Sequence, residues 1–377
     1  MVRVAGHAYP WDVLGDPDFP GRVRDLGIGT VTLAAAYHSA RAATPLHPAH
    51  QTVLADHAAL YRPVRPSAWT ERRLTPLGPQ WMDEPDPFGE AAVNLRGAGL
   101  RVGAWIVLTH NSRLGAAYPD LAVVNCFGER YPYALCPRHE EVREYAATLA
   151  GEALHGVEVD EVSLEACGQL GLAHLCHHEK TDDAWTPTAA RLLSVCCCAQ
   201  CRSAWRRAGL DPVEFVDRLK AAVRAEAVGK GSTMDGLDVA LAERHTATDM
   251  LRAEVLAAVR QAAPNATVTL HGHPDPWATG ASPGLTASAP GDVDAVLVPC
   301  WPTNEASADL VRAAAARVST VDAYVTVLPP ADPAALGEHA RRLRAAGVGR
   351  LSVYHLGLAP QWRQGLIADL VELWSAG

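Results

Sequence analysis

ATDMLRAEVLAAVRQAAPNATVTLHGH (247–273) decides the fold. Its first part, 247–264, is an Ala/Leu/Arg-rich amphipathic helix pattern closed by a proline. ATVTLHGH (266–273) then alternates apolar and polar residues as a strand does. The same rhythm runs outward in both directions. β-prone runs stand at 2–9 (VRVAGHAY), 29–38, 101–110 (RVGAWIVLTH), 159–168 (VDEVSLEACG), 294–301, 320–328 (TVDAYVTVL) and 349–357 (GRLSVYHLG), each followed by an amphipathic segment such as PAALGEHARRLRAAGV (333–348). Eight strands alternating with helices predict right-handed βαβ units closing into a (β/α)8 TIM barrel, an α/β fold. An open doubly wound sheet is the second choice, but no GxGxxG follows a strand to support a dinucleotide site.

Three connections exceed plain turns: 39–88 after the second strand, 111–140 after the third and 166–245 after the fourth, the last including a helical insertion at 210–245. All leave the carboxyl end of a strand, where barrel active sites are built. No repeat or linker divides the chain, so 1–377 is expected to be a single domain with these insertions.

Of the 377 residues 49% are hydrophobic and 20% charged, with 30 Gly and 27 Pro, the make-up of a self-folding globule with many turns. The net charge of −9 and the lack of a basic block argue against nucleic acid as a partner. No apolar run approaches the ~20 residues that span a bilayer, and MVRVAGHAYPW carries no leader pattern, so no membrane partner and a cytoplasmic location are expected. Nine cysteines, four of them at 196, 197, 198 and 201, suit a reducing compartment or a metal. A homo-oligomer is compatible with this composition.

Strand alternation assigns side chains to the barrel axis. With Val162 and Leu164 facing the helices, Ser163 and Glu165 face inward, Glu165 at the mouth. By the same parity Thr267, Thr269, His271 and His273 face inward on the fifth strand, and His38 on the second. His7 and Tyr9, His110, and Tyr354 with His355 end strands one, three and eight. Six polar side chains, His7, His38, His110, Glu165, His271 and His273, thus converge on one rim, as in a pocket. For a carboxylate partner to Glu165, Asp275 in HGHPDPW is the first choice, with Glu179 and Asp183 in reserve. Trp11, Trp277 and Trp301 follow strand ends and offer faces to a sugar. CHHEK (176–180) supplies His177, His178, Glu179 and Lys180 for a hydroxyl-rich or anionic ligand.

Cys196, Cys198 and Cys201 make C-x-C-x-x-C, thiolate spacing suited to tetrahedral zinc. Cys136 is the best fourth ligand, with Cys176 and His177 as alternatives. Such a closed site would be structural.

CPRHEEVREYAATLAGEAL, a strand ending in Glu165, and CCCAQCRSAWRRAGL follow one another in an order that resembles glycoside hydrolase family 42 β-galactosidases and neighbouring hypothetical glycosyl hydrolases, over roughly 101–206. The resemblance implies that Cys136, Cys196, Cys198 and Cys201 hold structural zinc and that Glu165 is the general acid/base. Two departures stand out. The family has Asn before its acid/base Glu, where Leu164 stands here. Its nucleophilic Glu ends strand seven, where TVDAYVTVLPP offers only Asp322, early in the strand.

The expected function is therefore glycoside hydrolysis of a small-molecule carbohydrate, with Glu165 and Asp275 catalytic. Substrate contacts are expected from His7, His38, His110, His177, His178, Glu179, His271, His273, Trp277, Trp301 and Tyr354. One alternative is a metal-dependent hydrolase, isomerase or lyase built on His271 and His273 with neighbouring imidazoles. Another is a barrel that binds sugar without cleaving it.

Overall fold

The computed structural model describes residues 4–174, 180–181 and 184–375. Eight parallel strands line a ring: β1 (Val4–Ala8), β2 (Thr30–Tyr37), β3 (Arg101–Val107), β4 (Glu161–Glu165), β5 (Thr267–His271), β6 (Ala295–Pro299), β7 (Val321–Thr326) and β8 (Arg350–Tyr354). Because β1 pairs with both β2 and β8, the sheet closes, and the expected (β/α)8 barrel is found with every strand in its expected segment. The outward residues Val102, Ile106, Val162, Leu164, Val268 and Leu270 are all buried, as parallel strands covered by helices must be.

The amino-terminal end of the barrel is plugged by charge. Arg350 reaches across to Glu161 Oε2 at 2.5 Å and to Asp322 Oδ2 at 3.0 Å. Asp322 is thereby committed to this end, as its early position in β7 predicts.

Strand β2 breaks simple alternation. Its register with β3 slips between Ala34 and Ala36, and one extra residue inverts the pleat beyond it. Tyr37 consequently joins the inward set, its ring 4.4 Å from Trp105.

The insertions have structure of their own. Residues 39–88 hold a hairpin (Ala40–Ala43 with Thr52–Ala55) and a short strand, Ala59–Leu60, antiparallel to β2. Arg65 and Arg73 tie this stretch to helix Glu140–Leu154 through Glu152 and Glu141. Residues 111–140 contribute helix Ser112–Ala117 and a hairpin, Ala122–Val124 with Arg130–Leu135.

The third insertion ends earlier than expected. Gly236, at φ 85°, starts a 26-residue helix, Leu237–Ala262, so the barrel helix absorbs residues assigned to an insertion through 245. Its buried stripe against the barrel runs through Ala247, Leu251, Val255 and Val259. Before it, helices Pro187–Leu193, Ala199–Arg207 and Pro212–Ala227 bury Leu192, Leu193, Trp205, Phe215 and Leu219 in a separate small core. Among the described residues no helix is long and apolar enough to cross a membrane.

Candidate active site

At the carboxyl end of β4, Glu165 turns into the barrel, as parity requires. Trp105 on β3 donates its indole N–H to Glu165 Oε2 at 2.9 Å. His271 on β5 stands one residue beyond the Leu164–Leu270 register pair, with Nδ1 3.7 Å from the same oxygen. Its Nε2 lies 2.9 Å from Ser163 Oγ. Glu165 is only 5% exposed, so it forms the floor of the mouth rather than its wall. Burial pushes its carboxyl up to about 7, opposed by the indole hydrogen bond. Burial also drives His271 down to about 3, so its ring is neutral.

Aromatic rings surround this carboxyl. His7 is fully buried, 4.7 Å from Trp105 and 4.5 Å from Tyr324. Trp301, following β6, lies 4.7 Å from Tyr324 and 5.3 Å from Tyr354. Tyr9 lies 5.1 Å from Tyr37 and 4.2 Å from His355. Above them His38 stacks on His110 at 4.3 Å, and His110 Nε2 meets His174 Nε2 at 3.1 Å. Burial lowers His38 to about 4 and drives His110 well below its ordinary value.

The structure thus brings together Glu165, His7, His271, Trp301 and Tyr354 inside the mouth, with His38 and His110 at its rim. Three expected residues leave it. Beyond β5 the chain folds into a turn, where His273 Nδ1 accepts the Asp275 backbone N–H at 3.0 Å. Asp275 accepts from Trp277 N–H and pairs with Arg191 at 2.9 Å, a turn carboxylate at the surface. Trp277 packs beneath Arg244, whose guanidinium lies 4.8 Å from its ring, against the small core of the third insertion. His271 and His273 therefore do not share a ligand position, and among the described residues no histidine group forms a metal cluster. His177, His178 and Glu179 lie outside the described residues, as do Cys176 and Asp183.

Several site residues were not foreseen. Trp105 is the one large inward side chain of β3, between Gly103 and Val107, a signal parity could have supplied. Tyr37 reaches the mouth only through the bulge, and Tyr324 bears no charge or metal-binding group to mark it in the sequence. Asp12, just after β1, accepts the Tyr9 N–H at 2.9 Å and lies 3.8 Å from His355 Nδ1. Burial pushes it up to about 7. Gly357 presses on it so closely that a Cβ there would sit 2.1 Å from the carboxyl carbon.

A second constellation lies beside the barrel. The sulfurs of Cys136, Cys196, Cys198 and Cys201 all lie within 4.8 Å of one another, Cys136 being 3.7 Å from Cys196 and Cys201 and 3.9 Å from Cys198. Four thiolates about one tetrahedral zinc at ~2.3 Å are separated by roughly 3.8 Å, so the donor set fits that ion. Crowding of the four sulfurs holds Cys198 low and Cys136 and Cys201 high. Arg244 stands half-buried nearby; desolvation lowers it while the charge of Cys196 and Cys201 opposes that, which makes it a counter-charge to the sulfurs.

No known protein family and no curated protein matches the sequence. Solved structures do match. The glycoside hydrolase domain of PgaB (BpsB) from Bordetella bronchiseptica aligns over 98% of this chain and 99% of that one, with 16% identity and a TM-score of 0.58. The catalytic domain of β-amylase from Paenibacillus polymyxa aligns over 100% and 98%, with 11% identity and a TM-score of 0.60. A catalytic mutant of Gan42B, a GH42 β-galactosidase from G. stearothermophilus, aligns over 100% of this chain and 56% of that one, with 12% identity and a TM-score of 0.57. At such identities the likeness is one of fold: this chain shares the (β/α)8 barrel of those proteins.

Proposed function

We propose that this barrel hydrolyses a glycoside, with Glu165 as the proton donor to the leaving oxygen. One observation carries the reading: a buried carboxyl at the carboxyl end of β4, pushed up to about 7 by its burial, is held by an indole N–H at the floor of an aromatic mouth. A general acid needs a proton near the working pH, and burial supplies that condition. Trp301, Tyr324 and Tyr354 offer faces and hydroxyls to a saccharide ring. The likeness in fold to glycoside hydrolases agrees. Asp275 is not carried forward as the partner carboxylate, since Arg191 and the Trp277 N–H occupy it at the surface.

A second reading, sugar binding without cleavage, draws on β7. Its inward residues are Asp322, bound to Arg350 at the far end, Tyr324 and Thr326, so no carboxylate of β7 stands in the mouth. A panel of glycosides offered to the unmodified protein separates the two. Release of reducing sugar supports hydrolysis; thermal stabilisation by a panel member with no release supports the binder.

The four cysteines are assigned a structural zinc, Cys136 joining the insertion after β3 to Cys196, Cys198 and Cys201 of the insertion after β4. With four protein ligands the ion keeps no open position, so its contribution is to hold these loops. A cytoplasmic location is proposed with it, since none of the eight described cysteines is in a disulfide and thiols held for a metal suit a reducing compartment.

A further inference from the structure

The inward face of β4 carries two polar side chains in succession, and both are linked to one imidazole on β5. His271 Nε2 lies 2.9 Å from Ser163 Oγ, while Nδ1 faces Glu165 Oε2 at 3.7 Å and has no hydrogen-bond partner. The ring is 1% exposed, so its tautomer is set by these neighbours rather than by solvent. A neutral imidazole has one N–H. If it sits on Nε2 it donates to Ser163 Oγ, and a bare Nδ1 lone pair faces the Glu165 carboxyl. If it sits on Nδ1, that N–H faces Glu165 and favours the carboxylate.

We infer that Ser163, acting through His271, is the positioning residue that keeps Glu165 protonated: its Oγ accepts the hydrogen bond donated by Nε2–H and so leaves the bare Nδ1 facing the acid. This rests on the reading of Glu165 as a proton donor and adds the device that maintains it. With Nδ1 bare, a carboxylate at Glu165 would be opposed by a nitrogen lone pair and served by the Trp105 indole N–H alone in a buried setting, where a charge so weakly paired is costly, so the neutral acid is kept. Every element packed against Glu165 agrees, because none brings a cation. Trp105 of β3 gives an indole N–H, Tyr37 of β2, Tyr324 of β7 and Tyr354 of β8 face it as neutral phenols, and His271 of β5 is uncharged. His7 of β1, 6.1 Å from His271, is neutral as well.

The arrangement is testable without any substrate. Nitrogen-15 NMR of the histidine side chains of the full-length protein at pH 6, with the His271 signals assigned by their loss in His271→Gln, should show Nε2 protonated and Nδ1 bare. A proton on Nδ1 would overturn the inference. The Glu165 carboxyl, followed by infrared difference spectroscopy and assigned by Glu165→Gln, should titrate about one pH unit lower in Ser163→Ala. Ser163→Thr, which keeps the hydroxyl, should restore the original midpoint. In a His271→Phe background the substitution at 163 should have no effect. An unchanged midpoint in Ser163→Ala, or a shift that persists without His271, would contradict the inference. Because both readouts use the ligand-free protein, they stand whether or not a glycoside is cleaved; failure of hydrolysis would show in the glycoside panel alone.

Discussion

The thiolate corner and the barrel mouth are built by opposite means. Three of the four corner sulfurs come from six consecutive residues, and the charge they carry as thiolates is concentrated on one point. The mouth draws its residues from seven strands and the segments just beyond them, and its polar groups are kept neutral by burial: Glu165 upward, His7 and His271 downward. The corner is a clamp made by local spacing, and the mouth a chemical environment made by the closure of the sheet. Damage to one should therefore leave the other's signature intact.

The largest effect is expected at the corner. Cys136→Ser removes one of four ligands, and structural zinc contributes on the order of 10 kcal/mol to small metal-dependent folds. Metal analysis should fall from one zinc per chain toward none, with early, separate melting of the core around Trp205 and Phe215. Retention of both metal and melting temperature would break the clamp reading.

Next comes the charged plug below the mouth. Arg350→Met leaves buried Asp322 without a cation and Glu161 with only the more exposed Arg101, a loss of roughly 3–5 kcal/mol for an uncompensated buried charge. A denaturant midpoint that drops with unchanged zinc content is the expected result.

The mouth's neutrality gives a smaller effect with a defined sign. Glu165 is raised from 4.5 to about 7 in the fold, so the folded state holds a proton that the unfolded chain has released. Its contribution to stability is fully present below pH 4.5 and is lost as pH rises through about 7. Glu165→Gln should flatten the fall in melting temperature over that window and stabilise the protein at pH 8 by about 3 kcal/mol. Parallel pH profiles of the two proteins would deny that the carboxyl is neutral at the floor.

The smallest effect belongs to Asp275. Asp275→Asn breaks a surface pair with Arg191, worth between zero and about 1 kcal/mol. Thermal melts and sugar turnover should both stay close to those of the unmodified protein; a collapse of turnover would return this residue to the mouth.

The same contrast governs how much the sequence reveals. The eight strands were legible because each is a compact apolar run with two turn-rich flanks, and the cysteine corner because its spacing is itself the geometry. Glu165 and His271 were legible through alternation, which holds as long as a strand is regular. Tyr37 was not, since one extra residue between Ala34 and Ala36 reverses the face of the rest of the strand, which ends at Tyr37. His273, Asp275 and Trp277 failed for a related reason. Parity was extended past His271, where the strand ends and the backbone begins to satisfy itself through turn hydrogen bonds. Tyr324 carries neither charge nor metal-binding capacity, so nothing in its side chain marked it until the closed ring set it beside His7 and Trp301.

The rate of sugar release as a function of pH, measured on whichever glycoside the panel identifies, for the unmodified protein and Glu165→Gln side by side, decides whether Glu165 is the proton donor. The rate should fall above about pH 7 as Glu165 loses its proton, and drop roughly 10²–10⁴-fold in the variant. Equal rates in the two proteins would remove Glu165 from the chemistry.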